Sequence, residues 1–110
     1  DFFAAHLYPE GSTNQASQWI DYFDDTKALL KKMKAPKNEG KSSSTIWVTE
    51  TALGLLSGGI SEDKVNQYTD KIAERGAGKV FWYAWDREDL GGAWIGPGTY
   101  MWNAIKRNWS

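Results

Sequence analysis

Residues 45–51 read TIWVTET. Five apolar or β-branched residues lead without interruption into Glu50, and a stretch of small residues, ALGLLSGG, follows. A short run of β-formers bounded by turn residues predicts a buried strand over 45–49. A carboxylate at the end of such a strand stands at an edge of the sheet, so the neighbouring segments decide what surrounds it.

Two further strands are predicted, one on either side. Residues 2–8 (FFAAHLY) form an apolar run stopped by Pro9, and residues 79–85 (KVFWYAW) form another. Between them lie helix-period segments. Trp19, Ile20, Phe23, Leu30 and Met33 fall on one stripe of a helix over about 15–34, with Asp21, Asp24, Asp25 and Lys27 facing out. Lys31, Lys32 and Lys34 sit at its negative end, and Pro36 follows. Ser61 is placed to cap a second helix through about Arg75, with Glu62 and Asp63 in the first turn and Gly76 and Gly78 beyond the last. Val65, Tyr68, Ile72 and Ala73 are its expected buried side. A short final helix is predicted over about 100–108. The order β-α-β-α-β-α, with units about 1–40, 41–76 and 77–110, implies an α/β fold of parallel strands joined by crossover helices within one domain of 110 residues.

Parallel strands place all their C-terminal ends along one edge, where ligands of such folds bind. That edge is expected to carry His6 and Tyr8, then Glu50, then Tyr83, Trp85 and Asp86. By alternation, Phe2, Ala4, His6 and Tyr8 share one face, as do Ile46, Val48 and Glu50, and Phe81, Tyr83 and Trp85. Trp47 and Trp82 then fall on the opposite face, and with Trp19, Trp102 and Trp109 they read as helix–sheet packing.

Composition narrows the function. Thirteen basic against fourteen acidic side chains give a net charge of −1, which makes no electrostatic case for nucleic acid or an anionic membrane. Without Cys and with a single His, thiolate and His-rich metal sites are excluded, and no cofactor is expected. Seven tryptophans are many for this length, and flat aromatic faces suit sugar rings and protein partners as well as cores. The chain begins already inside a strand, as a piece of something longer would.

The ordered trio of H-x-Y, V-T-E-T and Y-x-W-D resembles the last three strands of clan A glycoside hydrolases, and LGGAWIGPGTYMWNAIKRN is similar to their final loop and helix. The resemblance implies that the three β-α units form strands six to eight of a TIM barrel. It implies retaining hydrolysis of a polysaccharide or oligosaccharide, with Glu50 as nucleophile. On the same resemblance His6, Tyr8, Trp85, Asp86 and Trp94 are substrate-binding candidates: Trp85 by stacking, Tyr8 by donating to Glu50, Trp94 at an outer subsite. The strand-four Glu that acts as acid/base in that family has no counterpart here, and Glu10 is a possible substitute acid. The expected partners are therefore the sugar and the remaining barrel strands, as a second chain or through a homo-oligomer. A polysaccharide substrate also implies an extracellular location. Two alternatives stand beside the enzyme. One is a carbohydrate-binding module using Trp85 and Trp94 without chemistry; the other is a barrel fragment that self-associates through its bare inner face. The N-W-S at Asn108 matches a glycosylation sequon.

Overall fold

A computed structural model describes residues 2–10, 14–33, 45–53, 61–83 and 95–109. Apolar runs with β-branched residues form three strands: β1 (Phe3–Leu7), β2 (Ile46–Thr51) and β3 (Lys79–Trp82). The intervening segments form α1 (Gln15–Lys32), α2 (Glu62–Glu74) and α3 (Tyr100–Trp109). The strands pair in parallel in the order β1-β2-β3, as single β-α units in sequence require. Among the described residues no helix is long and apolar enough to cross a membrane.

Each helix starts on a side chain that satisfies its free N–H groups. Asn14 Oδ1 accepts from the Ser17 amide at 3.3 Å, and Ser61 Oγ from the Lys64 amide at 3.3 Å. Thr99 Oγ1 accepts from Trp102 N at 3.1 Å. Glu62 and Asp63 complement the dipole at the start of α2, while Lys31 and Lys32 do so at the end of α1. Past α2 the chain turns at Gly76 with φ +67, a left-handed conformation that glycine adopts without Cβ strain.

All three helices cover one face of the sheet. The layer between is built from Ala5, Leu7, Ile46 and Val48 of the strands and Trp19, Phe23, Leu30, Val65, Tyr68, Ile72, Met101 and Ala104 of the helices. Trp19 and Phe23 stack at 5.1 Å, and Trp82 meets Tyr68 and Trp109 edge-on at 6.0 and 5.5 Å. Polar pairs close the outside of this layer. Arg75 reaches Asp24 at 2.7 Å, joining α2 to α1. Arg107 and Asn108 of α3 donate to Asp70 of α2 at 2.5 and 2.8 Å, and Arg107 also donates to Asn66 at 2.9 Å. These contacts hold the Asp70 carboxyl below its ordinary range, Asn108 first and Arg107 second.

Among the described residues no helix lies on the other face of the sheet. Phe2, Ala4, Phe81 and Tyr83 are exposed there, Phe81 by half. Phe2 stacks on Trp47 at 3.8 Å, with Lys79 Nζ 4.7 Å from the indole centre.

Several expectations are corrected. Ile46 and Val48 are fully buried against the helices, and Trp47 lies on the open face; alternation counted back from Glu50 placed them the other way round. The reason is a β-bulge. Ala5 pairs with Val48 but His6 with Glu50, so β2 carries Thr49 as an extra residue, with the Thr49 hydroxyl 3.4 Å from the Ala5 carbonyl. The same shift separates Val48 from Thr51 against β3. β2 also runs on through Glu50 to Thr51 rather than ending at 49. Met33, expected on the buried stripe, is two-thirds exposed at the end of α1, where no element packs over it among the described residues.

Candidate functional site

The bulge determines what stands at the carboxyl end of the sheet. Beyond it β2 changes phase, so that Glu50 emerges on the open face while Thr51 turns into the core. On β1, His6 and Tyr8 already face the open side by alternation. The register sets His6 directly opposite Glu50. Three side chains predicted from the sequence therefore meet.

Tyr8 donates its O–H to Glu50 Oε1. His6 Nδ1 lies 3.5 Å from Glu50 Oε2, within ion-pair distance whenever the imidazole is protonated. Each carboxylate oxygen thus faces a different partner, which restricts the Glu50 rotamer. The Tyr8 phenol is pushed well above the ordinary tyrosine range, first by burial and then by its bond to, and the charge of, Glu50; Tyr83 adds a smaller push. Tyr8 consequently keeps its proton throughout the neutral range and acts as a donor. Glu50 and His6 remain partly open to solvent, at 38 % and 62 %, so the cluster is reachable from the open face.

Beneath this cluster lies a buried polar knot that sequence reasoning missed. Thr51 Oγ1 donates to the Leu7 carbonyl at 2.7 Å and accepts from Trp19 Nε1 at 3.2 Å. The Tyr68 hydroxyl lies 3.3 Å from Thr51 Oγ1 and 3.2 Å from the Ala52 carbonyl. The Thr51 carbonyl in turn accepts from Tyr83 N at 2.7 Å. One residue thereby links the ends of all three strands and two helices. No sequence signal marked it, because its side-chain partners lie 17 to 44 positions away.

Other candidates divide. Glu10 is exposed beside the start of α1, its amide donating to Gln18 Oε1 at 2.7 Å; its carboxylate makes no hydrogen bond or ion pair among the described residues. Tyr83, expected at the carboxyl edge on the face of Phe81, is 40 % exposed on the open face. Trp85, Asp86 and Trp94 lie outside the described residues. Among the described residues no group of three His, Asp or Glu side chains converges as a metal ion would require. Asn108 of the sequon has its amide nitrogen engaged with Asp70 and with the Ala104 carbonyl at 3.1 Å.

Chemically, the cluster presents one oriented, accessible carboxylate held by a neutral phenol, with an imidazole alongside. Such a group can attack an electrophilic carbon, or accept hydrogen bonds from a polyhydroxylated ligand. Comparison of the chain with protein-family models, with curated proteins and with solved structures gives no match.

Proposed function

We propose that this chain supplies the nucleophile strand of a retaining glycoside hydrolase of the (β/α)8-barrel type, acting on a polysaccharide or oligosaccharide. The observation that carries the reading is the Tyr8–Glu50–His6 cluster at the carboxyl ends of adjacent parallel strands, on the face that no helix covers among the described residues. In a retaining reaction Glu50 would attack the anomeric carbon, Tyr8 would hold the carboxylate in line, and His6 would meet the sugar. A second carboxyl group about 5–5.5 Å from Glu50 is required to protonate the leaving oxygen and later activate water. The reading takes this acid/base, and five further strands, from outside these 110 residues, in the same polypeptide or a companion chain. The open aromatic face agrees with closure of such a barrel.

The test is trapping. Native mass spectrometry first identifies what accompanies the chain in the purified protein. That assembly is then incubated with a panel of 2-deoxy-2-fluoroglycosyl fluorides, which stall a glycosyl-enzyme ester. The expected result is one sugar on the peptide containing Glu50, lost in Glu50→Gln together with turnover. A label on another carboxylate, or undiminished hydrolysis by Glu50→Gln, sinks the assignment.

The same open face favours a second reading, a non-catalytic unit that associates through Phe2, Phe81 and Tyr83. It predicts copies of this chain alone in the native spectrum, and no trapping.

A further inference from the structure

We propose that Thr51 is a positioning residue: its buried hydroxyl fixes where the Tyr8 phenol meets the Glu50 carboxylate. Thr51 follows Glu50 directly, and its side chain is fully buried on the opposite face of the sheet. The carbonyl it bonds at 2.7 Å belongs to Leu7, so the peptide being pinned is the one that leads into Tyr8. A single hydroxyl therefore spans from the residue after the carboxylate to the peptide before the phenol. The ladder resumes beyond the bulge at Thr49, with Leu7 set opposite Thr51, and the hydroxyl adds a side-chain tie across that pair where the interrupted ladder restarts.

The hydroxyl is itself held from two further directions. Its proton goes to Leu7 and it accepts Trp19 N–H, while the Tyr68 hydroxyl, which donates to the Ala52 carbonyl, lies 3.3 Å from it. Trp19 and Tyr68 are fully buried large rings, so neither can follow a displaced hydroxyl without repacking the core. Remove the hydroxyl and the Trp19 N–H loses its acceptor, and the Leu7 carbonyl its side-chain donor, in a dry interior. Each recovers one only if β1 or α1 moves. The movement of β1 falls on the peptide before Tyr8.

Packing and positioning make opposite forecasts. Valine keeps the volume of threonine and discards the hydroxyl, whereas serine keeps the hydroxyl and discards a methyl. A Thr51 that only fills space tolerates valine better than serine, and a positioning Thr51 does the reverse.

The readout is Tyr8 itself, followed by NMR of protein carrying tyrosine labelled at Cζ, with the resonance assigned by Tyr8→Phe. At pH 11 an ordinary tyrosine is about nine-tenths ionised. The wild-type Tyr8, raised by burial and by Glu50, should be ionised far less than that. Thr51→Val should raise its ionised fraction at least tenfold, and Thr51→Ser should leave it within a factor of about two. Tyr68→Phe, which removes one polar neighbour of the hydroxyl and leaves the Leu7 bond in place, should give a smaller rise and decides the matter if Thr51→Val does not fold. An unmoved Tyr8 in Thr51→Val, or in Tyr68→Phe where that variant decides, overturns the proposal, and so does a serine variant that shifts as far as valine. A catalytic consequence rests on the glycosidase reading: in the assembled protein, kcat falls in Thr51→Val with KM little changed, and serine restores it. A wild type that hydrolyses nothing removes the glycosidase reading and leaves the NMR comparison to decide Thr51.

Discussion

Truncating one residue on each face of the sheet measures how differently those faces are covered. Ile46 is fully buried against the helices, whereas Phe81 is half exposed on the open side. Removing a fully buried Ile or Phe side chain to Ala costs about 2–5 kcal/mol, from lost transfer energy plus the cavity left behind. Ile46→Ala should fall in that range. Half of the Phe81 ring already meets water, so Phe81→Ala should cost about half the full phenylalanine penalty, roughly 1.5–2.5 kcal/mol. The assay is urea unfolding of the 110-residue chain followed by far-UV circular dichroism at two protein concentrations. The slope with denaturant must be unchanged, so that midpoints report stability. If Phe81→Ala costs as much as Ile46→Ala at midpoints independent of concentration, the open face is not open and the reasoning fails. In an assembly that closes over the sheet, the Phe81 penalty should rise to the full value while that of Ile46 stays where it was.

Acid should act through the α2–α3 clamp. The Asp70 pKa is lowered in the folded state by Asn108 and Arg107, so its contribution is present above the unfolded carboxylate value of about 4 and is lost as pH falls through the folded value. Thermal melts should place wild type above Asp70→Asn at pH 7 and bring the two together near pH 2; a gap that persists there contradicts the linkage. At the start of α2, Ser61→Ala deprives the Lys64 amide of its acceptor and should cost about 1 kcal/mol in urea midpoints, with Ser61→Asp largely neutral. Equal loss in both variants would mean that the cap is not the cause.

The alternation of strands and helices was legible because each element carries its own period and its own punctuation. Ser61 and Gly76 bound α2 where their chemistry requires it, and Pro9 ends the first apolar run. His6, Tyr8 and Glu50 were legible as neighbours because parallel strands bring their C-terminal ends together. The faces of β2 were not. Alternation counted from Glu50 assumes an unbroken ladder, and an extra residue is invisible to a count that knows nothing of the partner strand. Thr51 escaped for a related reason: its value lies in a carbonyl and two aromatic side chains that only the tertiary fold brings within 3.3 Å.

The bulge at Thr49 also separates two demands that a regular strand would set against each other. Ile46, Val48 and Glu50 all occupy even positions, yet two of them must leave water and the third must reach it. By absorbing one residue, β2 acts as two short half-strands with independent assignments, an anchoring half and a presenting half. Substitutions among the anchors can thus be selected for fit to the helices without re-aiming the carboxylate. Changes around Glu50 can be selected for what it meets without disturbing the anchors. A loss or gain of one residue at this point is the change that would couple the halves again, so this stretch should tolerate substitution far better than any change of length.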